Sequence, residues 1–356
     1  MNAAFQRLLA VLKNAQDLAV LTPEDWDALL RHARSAGLLS RLALDARELQ
    51  LWDAIPERVR RHMESALVIA ERQIRAVTWE VHKVYEALGP LGFPIVLLKG
   101  AAYAMGNLPA ARGRLFGDID LLVPRDTLPE VELRLQFHGW HSNHKDAYDQ
   151  RYYREWMHEI PPVTHISRGS TLDVHHNILP LTARLKPRAD ILREEIVPLP
   201  GYPNLYRLGD ADLVLHSATH LFHEGEWAHG LRDLHDLYLL LIHFSTQPGF
   251  MDHLMERARR LDLIQPLGLA LYFVHRLFGS WADPATTAVT ILKLPGAVQR
   301  WAFMQGFAHA HPDFSETFTP AGLLYLYLRA HWLRMPLYLL IPHLLHKMGR
   351  KTPAKG

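Results

Sequence analysis

The chain of 356 residues contains no cysteine. That absence excludes a disulfide framework, a thiolate zinc site, an iron–sulfur cluster and a cysteine nucleophile, and it fits a reducing compartment. Charge of one sign is also missing, because 39 Lys plus Arg stand against 37 Asp plus Glu, a net +2. Such a chain has no strong field with which to coat DNA, so long nucleic acid is a disfavoured partner. No run of about 18 residues is apolar and uncharged, so no spanning helix is drawn. The nearest approach, residues 321–351, is interrupted by Arg329, His331 and Arg334 and by Pro336 and Pro342. It reads as a packed helical hairpin, although its aromatic and basic content also suits an interface, and contact with a membrane surface stays open. Near the start, Arg7 and Lys13 break the apolar stretch and no small-residue cleavage site follows, so no signal peptide is read. The expected location is cytoplasmic, with the inner membrane face as the open alternative. Repeats are absent, and the basic tail Lys347–Lys355 reads as a solvated terminus.

What is present has globular composition: 49 % hydrophobic and 21 % charged residues rule out a disordered chain and suffice for a sizeable core. Three regions are expected. Residues 1–90 read as helices: Phe5, Leu8, Leu9 and Leu12 recur at helical spacing, Thr22-Pro23-Glu24-Asp25 is a helix start, and a long run from Pro56 ends at Gly89-Pro90. Residues 91–200 form a small α/β core. There Pro94–Leu98 and Ile119–Val123 are short, apolar and β-branched, as buried strands are. A helix closed by Gly139 and a hairpin of 163–166 with 171–176 follow. Residues 201–356 are helical again, with a break around Gly225.

Asp118 and Asp120 bracket Ile119, so in a strand both carboxylates project to one side while Ile119, Leu121 and Val123 enter the core. Two such acids repel in a dry site without a cation. Hard oxygen ligands at this spacing suit Mg²⁺ with substrate phosphates, although a lone D-x-D is also common at solvated strand ends. Upstream, Lys99-Gly100 marks a strand-to-helix junction that offers backbone N–H groups and a cation to an anion, and Arg114 adds a second cation. Downstream, Asp173 and His175 share one strand face. Three carboxylates on two strands with cations nearby describe a metal-dependent phosphoryl or nucleotidyl transfer site.

The series 97-LLKGAAYA-104, 114-RLFGDIDLLV-123 and 172-LDVHH-176 resembles the uncharacterised bacterial nucleotidyltransferases of the polymerase-beta superfamily. The later 216-HSATHLFHEGEWAHGLRDLHDL-237 is similar to the helical motif that follows their catalytic core. The resemblance implies an α+β fold: a small mixed-sheet nucleotidyltransferase core flanked by N-terminal and C-terminal helical regions. It implies Asp118, Asp120 and Asp173 as catalytic acids and ligands of Mg²⁺ or Mn²⁺, with Asp173 helping to activate the acceptor hydroxyl. Lys99 and Gly100 fall in the phosphate-facing turn, Arg114 precedes the acidic strand as in that group, and Trp227 and Asp236 take supporting positions; His175, on the strand face of Asp173, reads equally as a ligand-orienting or a catalytic residue. The turn reads Lys-Gly where the wider superfamily usually has Gly-Ser. The implied activity moves a nucleoside monophosphate from an NTP, ATP by default, to a hydroxyl of a small-molecule, sugar or peptide acceptor.

Two competing readings remain. One is a non-catalytic nucleotide-binding scaffold of the same fold, against which the retention of three mutually repelling acids speaks. The other is a metal-dependent phosphohydrolase built on His216, His220 and His223, three of 23 histidines, at i, i+4 and i+7. The H-E-x-x-H signature is missing and no cysteine can complete the set, so these histidines read as buried or cleft-lining. The tryptophans, including Trp79 and Trp301, read as core or cleft residues, and Arg151, Tyr152 and Tyr153 as an optional acceptor wall.

Overall fold

A computed structural model of the chain describes residues 3–142, 146–223, 225, 227–279, 295–309, 311 and 317–342. The tail Lys347–Lys355 and residues 343–351 of the 321–351 segment lie outside the described residues.

The N-terminal helices form where the local signals put them. α1 (Ala3–Lys13) buries Phe5, Leu8, Leu9 and Leu12. α2 (Pro23–Ser35) starts in a capping box between Thr22 and Asp25 with Pro23 at its first position. α3 (Leu39–Glu48) packs on the long α4 (Glu57–Leu88), which begins after Pro56 and is followed by Gly89.

The middle of the chain is a seven-stranded mixed sheet. Its strands are β1 (Ile95–Leu97), β2 (Ile119–Leu122), β3 (Trp140–Ser142), β4 (Val163–His165), β5 (Thr171–His175), β6 (Val197–Pro198) and β7 (Leu205–Arg207), in the spatial order β3-β4-β5-β2-β1-β7-β6. Neighbours are antiparallel except β1 with β7 and β2 with β5. Short helices α5 (Lys99–Met105), α6 (Leu128–Phe137), α7 (Ala147–Glu155) and α8 (Ala189–Leu192) connect the strands. α4 packs against α5 and α6, and Arg168, in the β4–β5 turn, donates to Glu80 of α4 at 2.7 Å.

The remaining helices are α9 (Asp210–His223), α10 (Gly230–Ser245), α11 (Phe250–Arg260), α12 (Ile264–Phe278), α13 (Ala297–Ala308) and α14 (Thr319–Arg334). α9 is buried almost along its length because α10, α11, α12 and α14 surround it. One apolar cluster runs continuously from Phe5 through the sheet to Leu326. The fold is thus α+β with helical flanks, as expected.

Two expectations change. Trp79 and Trp301 are exposed rather than core or cleft residues; Trp79 lies under the guanidinium of Arg168 at 5.3 Å. α14 packs along α13 and stops before Pro336, but it also carries an exposed stripe of Leu324, Tyr327, Leu328 and Trp332, at 45 to 57 % exposure. Among the described residues, no helix is long and apolar enough to cross a membrane.

Candidate active site

The acidic pair sits at the start of β2. Asp118 is exposed just before the strand, whereas Asp120 is only 2 % exposed within it. Ile119, Leu121 and Val123 are buried as the alternation requires, and Leu122 is buried too, so only the beginning of this strand opens to solvent. Parallel register with β5 sets Asp120 opposite Asp173 and Leu122 opposite His175. The third acid therefore reaches the second through backbone pairing.

Asp120 is heavily contacted. Lys99 Nζ donates to its Oδ1 at 2.9 Å, and His175 Nε2 lies 3.1 Å from the same oxygen. Burial opposes ionisation, but Lys99 and His175 outweigh it and hold the Asp120 carboxyl well below the usual carboxylate range. Asp173 behaves oppositely. Burial, together with the negative charges of Asp120, Glu159 and Asp118, pushes its carboxyl up to about 7. Its Oδ1 is buried without a hydrogen-bond partner in the structure.

The Lys99-Gly100 turn follows β1. Leu98 N donates to Asp120 O at 3.0 Å, which fixes the turn against β2. Lys99 adopts a left-handed φ of 44°, which costs a side-chain-bearing residue about 1–2 kcal/mol; the ion pair with Asp120 holds it there. Gly100 has no alternative, since a Cβ would stand 2.6 Å from Arg114 Nη1 and 3.0 Å from Phe116 Cδ1. α5 is only seven residues long and lacks a side-chain cap, so side chains supply most of the positive charge at this turn.

Arg114 is clamped rather than pendant. Its Nε donates to Asp236 of α10 at 2.8 Å, and Asp233 is 3.9 Å from Nη2. Burial disfavours its charge, but these two carboxylates keep it firmly protonated. The loop that carries it is held by the N-terminal helices. Ser40 Oγ donates to Gly113 O at 2.6 Å, Arg41 Nη2 to Pro109 O at 2.6 Å, and Phe116 N to Gln73 Oε1 at 2.8 Å. Arg112 pairs with Glu48.

Between these elements opens a cleft of about 430 Å³, lined by Lys99, Gly100, Arg114, Asp118 and Asp120 together with Arg34, His220, His229, Arg232 and Asp233. The cleft sets four cations, Arg34, Lys99, Arg114 and Arg232, among four carboxylates: Asp118 and Asp120, the second paired with Lys99, and Asp233 and Asp236 beside Arg114. A family of uncharacterised nucleotidyltransferases matches residues 22–279. The chain belongs to this nucleotidyltransferase family. No curated protein and no solved structure matches the chain.

The family match spans α2 to α12, so the helices that contribute Arg34 and Arg232 fall inside it along with the sheet. Of the residues singled out in the sequence, Lys99, Gly100, Arg114, Asp118 and Asp120 line the cleft. Asp173 lies beside Asp120 on β5 and His175 contacts Asp120, but neither Asp173 nor His175 lines the cleft. Arg151, Tyr152 and Tyr153, on α7, do not line it. The three histidines of α9 diverge: His220 faces the cleft, while His216 and His223 are buried. Burial and the nearby charge of Lys99 keep His216 neutral well below its ordinary pKa. Among the described residues, these histidines gather no ligand set. Trp227 packs on Phe303 and Phe307, and Asp236 braces Arg114, so both are supporting residues.

Sequence reasoning missed Arg34, His229, Arg232 and Glu159. Arg232 lies within the 216–237 motif, whose R-D-L-H-D stretch was the available signal. Arg34 has no local signature, because its place depends on how α2 packs.

Proposed function

We propose that the chain is a metal-dependent nucleotidyltransferase of the polymerase-beta type. It would move a nucleoside monophosphate from an NTP, ATP by default, to a hydroxyl of a small-molecule, sugar or peptide acceptor. The observation that carries this reading is the Asp120–Asp173 pair, with Asp118 beside it, at a cleft that Arg34, Lys99, Arg114 and Arg232 also line. Asp118, Asp120 and Asp173 would hold Mg²⁺ or Mn²⁺. Their hard oxygens fit such an ion, and the partnerless buried Oδ1 of Asp173 supports the same assignment. When bound, the ion supplies Lewis-acid stabilisation of charge on the phosphoryl oxygens.

The chain's own residues do the remainder. Arg34, Lys99, Arg114 and Arg232 neutralise the triphosphate and fix its direction along the cleft. Gly100 lets Arg114 lie against the turn. Asp173 accepts the proton of the acceptor hydroxyl, whose oxygen attacks the α-phosphorus in line. The bond from α-phosphorus to the bridging oxygen breaks, and pyrophosphate leaves towards Lys99 and Arg114. His175 orients Asp120.

A thermal-shift series with each nucleoside triphosphate, with and without Mg²⁺, tests the reading on wild type and Asp118→Asn. A Mg²⁺-dependent rise for a triphosphate, lost in the variant, is expected, because a ligand selective for the native state raises Tm. No shift in folded protein would favour a scaffold that keeps the fold without the activity.

We also propose that α14 meets an anionic membrane surface. The exposed Leu324, Tyr327, Leu328 and Trp332 follow helical spacing, and no acid follows Glu316, whereas Arg329, Arg334, Lys347, Arg350, Lys351 and Lys355 do. Arg329 and Arg334 turn inward to Phe222 O and His223 O, so the attraction to anionic headgroups would come from the basic residues that follow α14 in the sequence. Full-length protein should sediment with phosphatidylserine-containing vesicles more than with neutral ones, and Leu328→Glu should reduce this. Equal sedimentation of variant and wild type would refute the contact.

A further inference from the structure

A second group of ligand-type side chains joins Asp120 through His175. The segment 158–160 runs antiparallel to the end of β5: Glu159 bridges His175, Ile160 N donates to Val174 O at 3.0 Å, and His176 N to His158 O at 2.8 Å. Directly opposed residues of an antiparallel pair present their side chains to the same face, so Glu159 and His175 meet. His158 comes alongside, its ring centroid 5.2 Å from that of His175. One donor atom from each of His158, Glu159 and His175 lies within 4.8 Å of the others.

The decisive atom is Nδ1 of His175, on a side chain only 6 % exposed. It stands 3.2 Å from Glu159 Oε2, yet it is buried with no hydrogen bond of acceptable geometry. The carboxylate is therefore close to the nitrogen but off its N–H axis. Two donors that converge on a common point have this relation. Ligands about 2.1 Å from a tetrahedral ion lie about 3.4 Å from each other. The opposite nitrogen, Nε2, is 3.1 Å from Asp120 Oδ1. A proton on Nε2 donated to Asp120 leaves the Nδ1 lone pair available to an ion held jointly with Glu159 and His158, the carboxylate–histidine–metal arrangement.

We propose that His158, Glu159 and His175 bind a divalent transition metal of the Zn²⁺, Co²⁺ or Mn²⁺ kind, at a site separate from the three-aspartate site. Two imidazoles and one carboxylate select such ions over Mg²⁺, which prefers all-oxygen ligands. Three protein ligands leave a coordination position open for water or substrate. The ion would pin segment 158–160 to β5 and set the orientation of His175, and through it Asp120. The site does not rest on the nucleotidyl-transfer reading, and its failure would leave that reading standing.

The test uses tag-free, full-length protein stripped with a chelator and titrated with Co²⁺ alone. One equivalent should give the intense visible absorption of a four- or five-coordinate ion, displaced by Zn²⁺ but not by excess Mg²⁺. Glu159→Gln and His158→Gln should each weaken Co²⁺ binding at least about 10-fold, in line with the loss of a protein ligand, while Asp118→Asn leaves it unchanged. Absence of the absorption in wild type, its persistence in both substituted proteins, or its loss in Asp118→Asn would each overturn the assignment. Near-native circular dichroism of either His158→Gln or Glu159→Gln is enough to make the comparison valid.

Discussion

Asp120 stands directly opposite Asp173 in the parallel pair of β2 and β5, and only the first of them has a close cation, Lys99 at 2.9 Å. Two adjacent carboxylates, of which Lys99 pairs with one, leave the charge on the other unmatched, and that imbalance is what a divalent cation would cancel. Asp173→Asn removes the repulsion. In Mg²⁺-free buffer this variant should melt no lower than wild type, while transfer of labelled nucleotide falls at least about 100-fold. A fall in Tm with transfer intact would assign Asp173 to stability alone.

Gly100→Ala should disturb the site through a single methyl group. The added Cβ would stand 2.6 Å from Arg114 Nη1, and such overpacking costs about 1–3 kcal/mol. Urea denaturation should show this loss, together with weaker triphosphate binding as Arg114 is displaced. Gly296→Ala, at a position with nothing within 4 Å of the new Cβ, should leave both quantities unchanged.

His235 should make the protein acid-sensitive. Burial, with the charge of Arg41 adding to it, holds the imidazole down to about 3, against an ordinary value of about 6.5. The folded protein thus refuses a proton that the unfolded chain accepts. This contribution to stability is complete above about pH 6.5 and is lost as the pH falls towards about 3, by roughly 1.4 kcal/mol per unit within that window. His235→Leu, packed as His235 is against Phe278 and Tyr238, should flatten the fall of Tm between about pH 7 and about pH 5. An unchanged slope would place the acid sensitivity elsewhere, with His32 and His176, both held at about 4, next in line.

Arg257→Ala should cost far more than an ordinary arginine substitution. Arg257 of α11 and Asp212 of α9 are 1 % and 0 % exposed and pair at 2.6 Å, so truncation strands a buried carboxylate. Breaking such a pair costs about 3–5 kcal/mol, measurable by urea denaturation. Arg188→Ala, at an exposed pair with Asp190, should have no measurable effect.

Local signals in the sequence decided the elements of this protein. Thr22 and Asp25 close the first turn of α2, Pro56 and Gly89 bracket α4, and the β-branched runs became β1 and β2, because capping and strand burial depend on near neighbours. The D-I-D of β2 and the D-V-H of β5 were legible for the same reason: period-two alternation fixes which side chains share a face. Tertiary structure alone decided which residues meet. The β2–β5 register that sets Asp120 beside Asp173, the clamp of Asp236 on Arg114, the entry of Arg34 and Arg232 into the cleft and the convergence of Glu159 and His158 on His175 all join distant segments. Side-chain pattern carries no record of such pairings; they are set by how helices and strands bury their apolar faces together, and that packing is a property of the whole core.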